Sequence, residues 1–395
     1  MAERPTVRLL AGHAKRLRAG HPWVFSNEIA MDEPTRRIPP GAIVRLQDAG
    51  GEALASATFN PHSLIAARVL DPDAAAPFDG AAIAVRIQAA LALRDRLIGS
   101  PFYRLIHAES DRLPGLVVDR FGDLAVVQAN TAGMERLLPD VIGAIGAVVR
   151  PAGIVLRCDS PVRRLEGLEP YVRTEGDVPD RPIPVAEGGV RFLADPVRGQ
   201  KTGWYFDQRD NRTFVAGLAE GLDVLDAYCH TGGFGLRALA AGAARATLID
   251  GSEPALELAR AAAEANRLGD KATLVRADVF TAFEARRAAG ETYGLVIADP
   301  PSFVKSRKDL GAGLRGYRKL ARLAAGLVAP GGFLALFSCS HNVDAPTFAD
   351  QVRRGLIDAG RQGRILKACA AAADHPVHPA LAESAYLKGL VLQVD

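Results

Sequence analysis

The residues of this 395-residue chain whose types and spacing suit chemistry stand mostly in its second half, each at the end of a short apolar run. The first run closes with Asp226-Ala-Tyr228-Cys229-His-Thr231-Gly232-Gly233-Phe234, where the glycines let the backbone turn sharply and come close to a ligand before a helix starts. The second closes with Asp250, about 20 residues further on, a place where one carboxylate can accept both hydroxyls of a ribose. After the third, Asp278 precedes Val279 and Phe280. An acid there can accept from an adenine amino group while the two apolar side chains pack on the ring, although a lone Asp at such a place is also an ordinary helix cap. The fourth ends in Asp299-Pro300-Pro301-Ser302-Phe303, and two prolines stiffen the backbone around an acid suited to hold a planar amide or amine. The fifth ends in Ser338-Cys339-Ser340-His341, which brings a thiol to the same rim, either as a nucleophile or as a small buried apolar residue.

Two common phosphate-binding patterns are missing. The glycines at 232, 233 and 235 do not form GxGxxG, which weakens a dinucleotide-binding reading, and Gln200 stands before Lys201-Thr202 where a P-loop needs Gly.

The elements that position these residues alternate strictly from Val190 onward. Strands are predicted at 223–227, 246–250, 272–276, 294–298 and 332–337, with helices after Gly233, over 253–266, near 280–289 and near 314–327. That alternation predicts an α/β fold with a doubly wound, Rossmann-like parallel sheet, whose ligands bind beyond the carboxyl ends of the strands. Upstream, β-rich runs at 42–46, 53–59 and 64–70 predict a small β module over 1–75. A Pro-containing linker at 71–77 leads into an α+β middle region over 76–189, with helices at 81–97 and 134–148 and strands at 115–118, 124–128 and 154–157. Residues 190–395 form the third predicted domain.

Composition narrows the class. With 48% hydrophobic and 24% charged residues the chain is an ordinary globular protein. The apolar stretch from Leu323 to Phe337 is interrupted by Pro330, Gly331 and Gly332, so no membrane span is expected, and with charges scattered through the first residues no signal peptide is expected either. The predicted location is the cytoplasm. Four cysteines without a CxxC pair predict neither a disulfide framework nor a metal site. The net charge of +3 carries no argument for nucleic acid, but residues 1–45 hold eight Lys or Arg against four acids, Glu3 among them.

Taken in order, Asp226 to Phe234, Asp250, Asp278, Asp299 to Phe303 and Ser338 to Ser340 resemble a class I S-adenosylmethionine-dependent methyltransferase. More narrowly, the chain resembles the RlmI-like bacterial 23S rRNA cytosine-C5 methyltransferases, which have an N-terminal PUA domain, a central mixed domain and a C-terminal methyltransferase domain. Gly20-His-Pro-Trp23-Val-Phe25 is similar to the family's PUA start. Lys201-Thr-Gly-Trp-Tyr-Phe-Asp207-Gln208-Arg209 resembles its approach to the catalytic domain, and Ala373-Asp374-His375-Pro376 with Tyr386-Leu-Lys388-Gly389 its end. The resemblance implies S-adenosylmethionine as cofactor. Asp250 would then be its ribose ligand, Asp278 its adenine contact, and Asp226, Tyr228, Thr231 and Gly232 the loop at its methionine end, which Gln208 serves better than Lys201. Cys229 adds a second thiol to that loop.

The implied reaction explains the catalytic pair. C5 of cytosine is a poor nucleophile, so a thiol must first add at C6, and Cys339 is the candidate because Ser302 fills the place of the second cysteine that some RNA cytosine methyltransferases carry. Asp299 would hold or protonate the N3 and N4 edge. His341 and His375 are the two candidates for the base that removes the C5 proton. The target base has to be flipped out of its stack, with Phe303 or Pro301 available to support it. RNA recognition is assigned to the basic N-terminal module, with Trp23 and Phe25 expected in its core rather than as stacking platforms. Two alternatives remain at this level: methylation of a base nitrogen with Cys339 structural, and a non-catalytic RNA-binding or assembly factor. The expected partner is 23S rRNA, without membrane or metal, and the oligomeric state is left open, a homodimer included.

Overall fold

A computed structural model describes residues 4–395, so Glu3 lies outside the described residues. By contact density the chain divides into two units. One comprises the chain up to Asp180 with Pro196–Trp204 and Ala373–Ser384; the other comprises Arg181–Asp195, Tyr205–Ala372 and Ala385–Asp395. The expected boundary at 189/190 falls in the turn of a hairpin, Ile183–Glu187 with Val190–Ala194, that opens the second unit.

In the first unit the N-terminal runs pair into a five-stranded sheet in the order Thr6–Arg8, Ala42–Gln47, Ala53–Phe59, Ile65–Asp71, Trp23–Phe25. A second five-stranded sheet runs Tyr171–Gly176, Gly153–Cys158, Leu124–Ala129, Leu116–Phe121, Phe102–His107. Its one parallel pair, Leu124–Ala129 with Gly153–Cys158, is joined through the helix Leu138–Val148, which packs against Gly80–Leu97. The helix expected over 134–148 is broken into Ala132–Arg136 and Leu138–Val148. Pro139, in the first turn of the second piece, has no N–H to bond back into the preceding turn, so the helix restarts there. The outer strands of this sheet were not legible: Tyr171–Gly176 is largely exposed and lacks an apolar run.

Trp23 and Phe25 are half-buried, and each ring has an arginine over one face. Trp23 Nε1 donates to Glu109 Oε1 at 2.7 Å with the Arg68 guanidinium 5.4 Å from its ring centre, and Arg16 lies 4.7 Å over Phe25. The first sheet is tied to the second by Glu166, whose buried carboxylate accepts from Asn60 Nδ2 and Ser63 Oγ at 3.0 Å and from Arg68 Nη2 at 3.3 Å.

The second unit carries a seven-stranded sheet. Its strands are β1 (Asp223–Ala227), β2 (Arg245–Asp250), β3 (Ala272–Arg276), β4 (Tyr293–Ala298), β5 (Val328–Ser338), β6 (Gly363–Cys369) and β7 (Lys388–Val394), in the order β3-β2-β1-β4-β5-β7-β6. The first five are mutually parallel and β7 is antiparallel to both its neighbours. Helices α1 (Gly233–Ala240), α2 (Glu253–Ala265), α3 (Val279–Ala288), α4 (Leu310–Ala325) and α5 (Ala345–Asp358) cross between strands or cover the faces. Central strands buried on both faces read as continuous apolar runs, which is why β1 to β5 are legible in the sequence. β5 starts earlier than expected, running through Pro330 to Gly332, and α5, β6 and β7 were not anticipated. The order reverses between β1 and β4, so the loops after β1 and β4 flank the switch point of the sheet. Among the described residues no helix is long and apolar enough to cross a membrane.

Candidate active site

The thiol is held out by its neighbours. Ser338 and Ser340 are fully buried and point into a hydroxyl cluster: Tyr317 Oη lies 2.8 Å from Ser338 Oγ and 2.7 Å from Ser340 Oγ, and Ser302 Oγ lies 2.8 Å from Ser340 Oγ. The cluster locks the loop after β5 to the Asp299-Pro-Pro-Ser loop after β4, with Cys339 between the two anchored serines. Cys339 is partly exposed, whereas Cys158, Cys229 and Cys369 are buried. Burial pushes the Cys229 thiol well above its ordinary value, so the second thiol of the first loop is a poor nucleophile.

Lys388, the first residue of β7 and the register partner of Ser338, sends its buried ammonium under the same loop, donating to Ser340 O at 2.5 Å and Val343 O at 2.6 Å. Burial lowers its pKa, opposed first by the charge of Cys339 and then by that of Asp344.

Asp299 is oriented from the side. Gln208 Nε2 donates to Asp299 Oδ2 at 3.0 Å, and Gln208 Oε1 accepts from Asn211 Nδ2 at 2.6 Å. Gln208, expected at the methionine end of a cofactor, is thus engaged with the candidate catalytic acid. Tyr205 was missed by sequence reasoning although it stands in the quoted 201–209 segment. Burial above all, and then Asp299, Asp207, Cys339 and Asp250, push its phenol far up, so it stays a neutral O–H donor among these groups. Its ring meets His230 edge-on at 5.0 Å. Of the two candidate bases, His341 packs 5.3 Å from the Tyr386 ring, whose hydroxyl donates to Asp207 Oδ2 at 2.5 Å. His375 belongs to the first unit, with Nδ1 2.9 Å from Asp374 Oδ1.

The loop after β1 is strained. Tyr228, His230 and Gly232 all have positive φ (60°, 52° and 84°), and two of the three are not glycine. Asp250 fixes it by accepting from His230 N at 2.9 Å and Ser252 N at 2.8 Å, which leaves two of its roughly four acceptor positions for another donor pair. Asp278 caps α3, accepting from Thr281 N at 2.9 Å, and remains exposed.

Two domain families match the chain: a PUA-like domain over residues 7–72 and an S-adenosylmethionine-dependent methyltransferase over residues 175–393. A Photobacterium profundum protein named ribosomal RNA large subunit methyltransferase I is 38% identical over 394 residues, spanning 98% of this chain and 99% of its own. An Escherichia coli protein of the same name is 37% identical over 98% of this chain and 100% of its own. The chain belongs to the ribosomal RNA large subunit methyltransferase I family. Its fold matches that of a chain crystallised with SAH, at TM-score 0.85 and 21% identity over 98% of this chain and 100% of that one. A similar match is to a Streptococcus mutans structure, with TM-score 0.83, 21% identity and the same coverage.

As a member of this family the chain is S-adenosylmethionine-dependent, and its residues fit the cofactor. Asp226 Oδ2 accepts from Gly235 N at 2.7 Å, but its buried Oδ1 has no hydrogen-bond partner among the described residues, and neither has the buried Thr231 Oγ1. An unmet carboxylate oxygen suits the ammonium of the methionine end, and an unmet hydroxyl suits its carboxylate. Burial, less a hydrogen bond from Gly235 and with Asp299 and Asp250 adding to it, pushes Asp226 up to about 7. Below that pH the carboxyl is protonated, and an arriving ammonium must displace the proton. Affinity for S-adenosylmethionine is therefore expected to fall roughly tenfold per pH unit below about 7 and to level off above it. Calorimetric titration from pH 5.5 to 8.5 checks this; Asp226→Asn flattens the profile, and a flat wild-type profile contradicts it.

Proposed function

We propose that this protein methylates C5 of a cytosine in 23S rRNA, with Cys339 as the nucleophile that adds at C6. The observation that carries the reading is the placement of Cys339: the partly exposed cysteine, anchored on both sides by buried serines, beside a buried ammonium and in the same neighbourhood as Asp299 and Tyr205.

The chain's own groups account for the proton and electron movements. The Cys339 thiolate forms a bond to C6 and opens the C5–C6 double bond, moving electron density through C4 toward the N3 and N4 edge. Asp299, held by Gln208, meets that edge and stabilises or takes the charge there, with Tyr205 as a neutral donor alongside. C5 becomes an enamine carbon that can attack an electrophile. S-adenosylmethionine, when bound, supplies an electrophilic methyl group. Transfer of the C5 proton to a base, for which His341 is the candidate in this unit, then restores the double bond and expels the Cys339 thiolate. Asp250 would hold the ribose of the cofactor, Asp278 would contact its adenine, and Asp226, Tyr228, Thr231 and Gly232 would form the loop at its methionine end. Phe303 and Pro301 would support the flipped base. The PUA-like module over 1–75 would contact RNA, and the work would take place in the cytoplasm.

Lys388 is a positioning residue in this scheme. Its ammonium favours the charged form of the neighbouring sulfur and so enlarges the thiolate fraction. Lys388→Met is expected to slow iodoacetamide alkylation of Cys339 about tenfold at pH 7 and to move the pH profile of alkylation upward, with Lys388→Arg restoring most of it. A slower rate with an unmoved pH profile would mean that Lys388 only shapes the loop.

Nucleoside mass spectrometry of 23S rRNA incubated with the protein and S-adenosylmethionine tests the assignment. The expected product is 5-methylcytidine; a nitrogen-methylated nucleoside would replace this reading by the one in which Cys339 is structural.

A further inference from the structure

The 305–315 segment follows directly on the Asp299–Phe303 loop and continues into the first turn and a half of α4. It carries Lys305, Arg307, Lys308 and Arg315, all exposed, against the single acid Asp309. None of the four makes an ion pair with a described acid, and Asp309 is occupied in accepting from Ser306 N at 3.0 Å and Ser306 Oγ at 2.8 Å. Elsewhere on this unit several arginines are paired, Arg318 with Asp358 at 2.5 Å, Arg353 and Arg354 with Asp350 at 2.7 Å and Arg245 with Asp223 at 2.8 Å, while Arg260, Arg267 and Arg287 are single exposed cations on separate stretches with no ion pair to a described acid.

Beside these cations lies an open cleft of about 380 Å³, lined by Phe280, Phe303, Lys305 and the start of α4. α4 can lie this close because it presents glycines: a Cβ on Gly313 would stand 2.3 Å from Val304 Cγ2, and one on Gly316 3.1 Å from the Phe303 ring. Glycines inside a helix are costly, and here close approach is what they provide. Lys319 Nζ sits 4.9 Å over the Phe280 ring and is held there by Glu284 at 3.0 Å, which fixes the aromatic wall. Asp250, Asp278 and Gly232 do not line the cleft.

Unpaired cations alongside aromatic walls are what a single-stranded nucleic acid needs: charge for its phosphates and flat faces for its bases. We propose that this surface is a second RNA-binding site, in the catalytic unit itself, which takes the single-stranded nucleotides next to the target base. The inference rests on the reading of the protein as an RNA methyltransferase and moves part of RNA recognition away from the N-terminal module.

The test compares the full-length Lys305→Glu/Lys308→Glu protein with Arg353→Glu/Arg354→Glu, which changes the net charge equally on a surface where the arginines are already paired. The probe is protein-free 23S rRNA transcript, titrated at several salt concentrations, with S-adenosylmethionine affinity measured in parallel. The first variant is expected to lose RNA affinity at least about tenfold and to lower the slope of log Kd against log salt by about two, with cofactor affinity unchanged, while the second behaves like wild type. Equal effects of the two variants, or an unchanged salt slope, overturn the proposal. So does a loss of cofactor affinity with RNA affinity intact, which would give the cleft to the cofactor. Failure to form 5-methylcytidine with the first variant's RNA defect still present would instead strike the base chemistry alone.

Discussion

Cys339→Ala is expected to lose methyl transfer to the assay background while keeping its affinity for S-adenosylmethionine within about twofold, because without a nucleophile at C6 the C5 position has no electron density to offer. The substitution removes one sulfur from a loop whose fold depends on its neighbours. Ser338 and Ser340 hold the backbone through Tyr317, and Cys339 is the partly exposed member of the three. Its loss should therefore leave thermal unfolding nearly unchanged. Single-turnover incorporation of labelled methyl into 23S rRNA, alongside calorimetric cofactor binding, reads both quantities. Retained transfer would remove Cys339 from the reaction; loss of transfer together with loss of cofactor binding would reduce it to a structural residue.

Asp299→Ala is expected to lower the transfer rate by about 10²–10³-fold, the usual effect of deleting a group that meets developing charge in a closed site. Gln208 would lose its partner at 3.0 Å but retain Asn211 at 2.6 Å, so the local fold should survive. The loss should appear in kcat more than in KM for RNA, since the charge on the N3 and N4 edge develops only as the thiolate adds. A loss confined to KM would make Asp299 a binding residue only.

The line of chemistry along the sheet was readable because parallel strands buried on both faces are unbroken apolar runs, and each ends where a Gly, Asp or Cys breaks the run. Asp226, Asp250, Asp278, Asp299 and Cys339 all stand at such ends, and the structure sets the loops after β1 and β4 on either side of the switch point. What stayed hidden depends on pairings between distant residues. Gln208 meets Asp299 across 91 positions, a pairing that local spacing does not encode. Tyr205 stands in a short irregular stretch, where no periodicity marks a functional side chain. Lys388 was quoted only as part of a terminal motif; its ammonium gains a role when β7 inserts antiparallel between β5 and β6 and brings it level with Ser338. The cations of 305–315 carry no local signal in the sequence, because their lack of acidic partners is known only from the fold.

The most direct measurement uses RNA in which cytosine is replaced by 5-fluorocytosine. With fluorine at C5 there is no proton to remove after methyl transfer, so elimination fails and the thiolate stays bound to C6. Incubated with S-adenosylmethionine, the wild-type protein is predicted to form a denaturation-resistant RNA adduct that mass spectrometry of the nuclease-treated protein locates on Cys339, and Cys339→Ala is predicted to form none. Normal turnover of the fluorinated RNA without an adduct, or an adduct on another residue, would contradict the account.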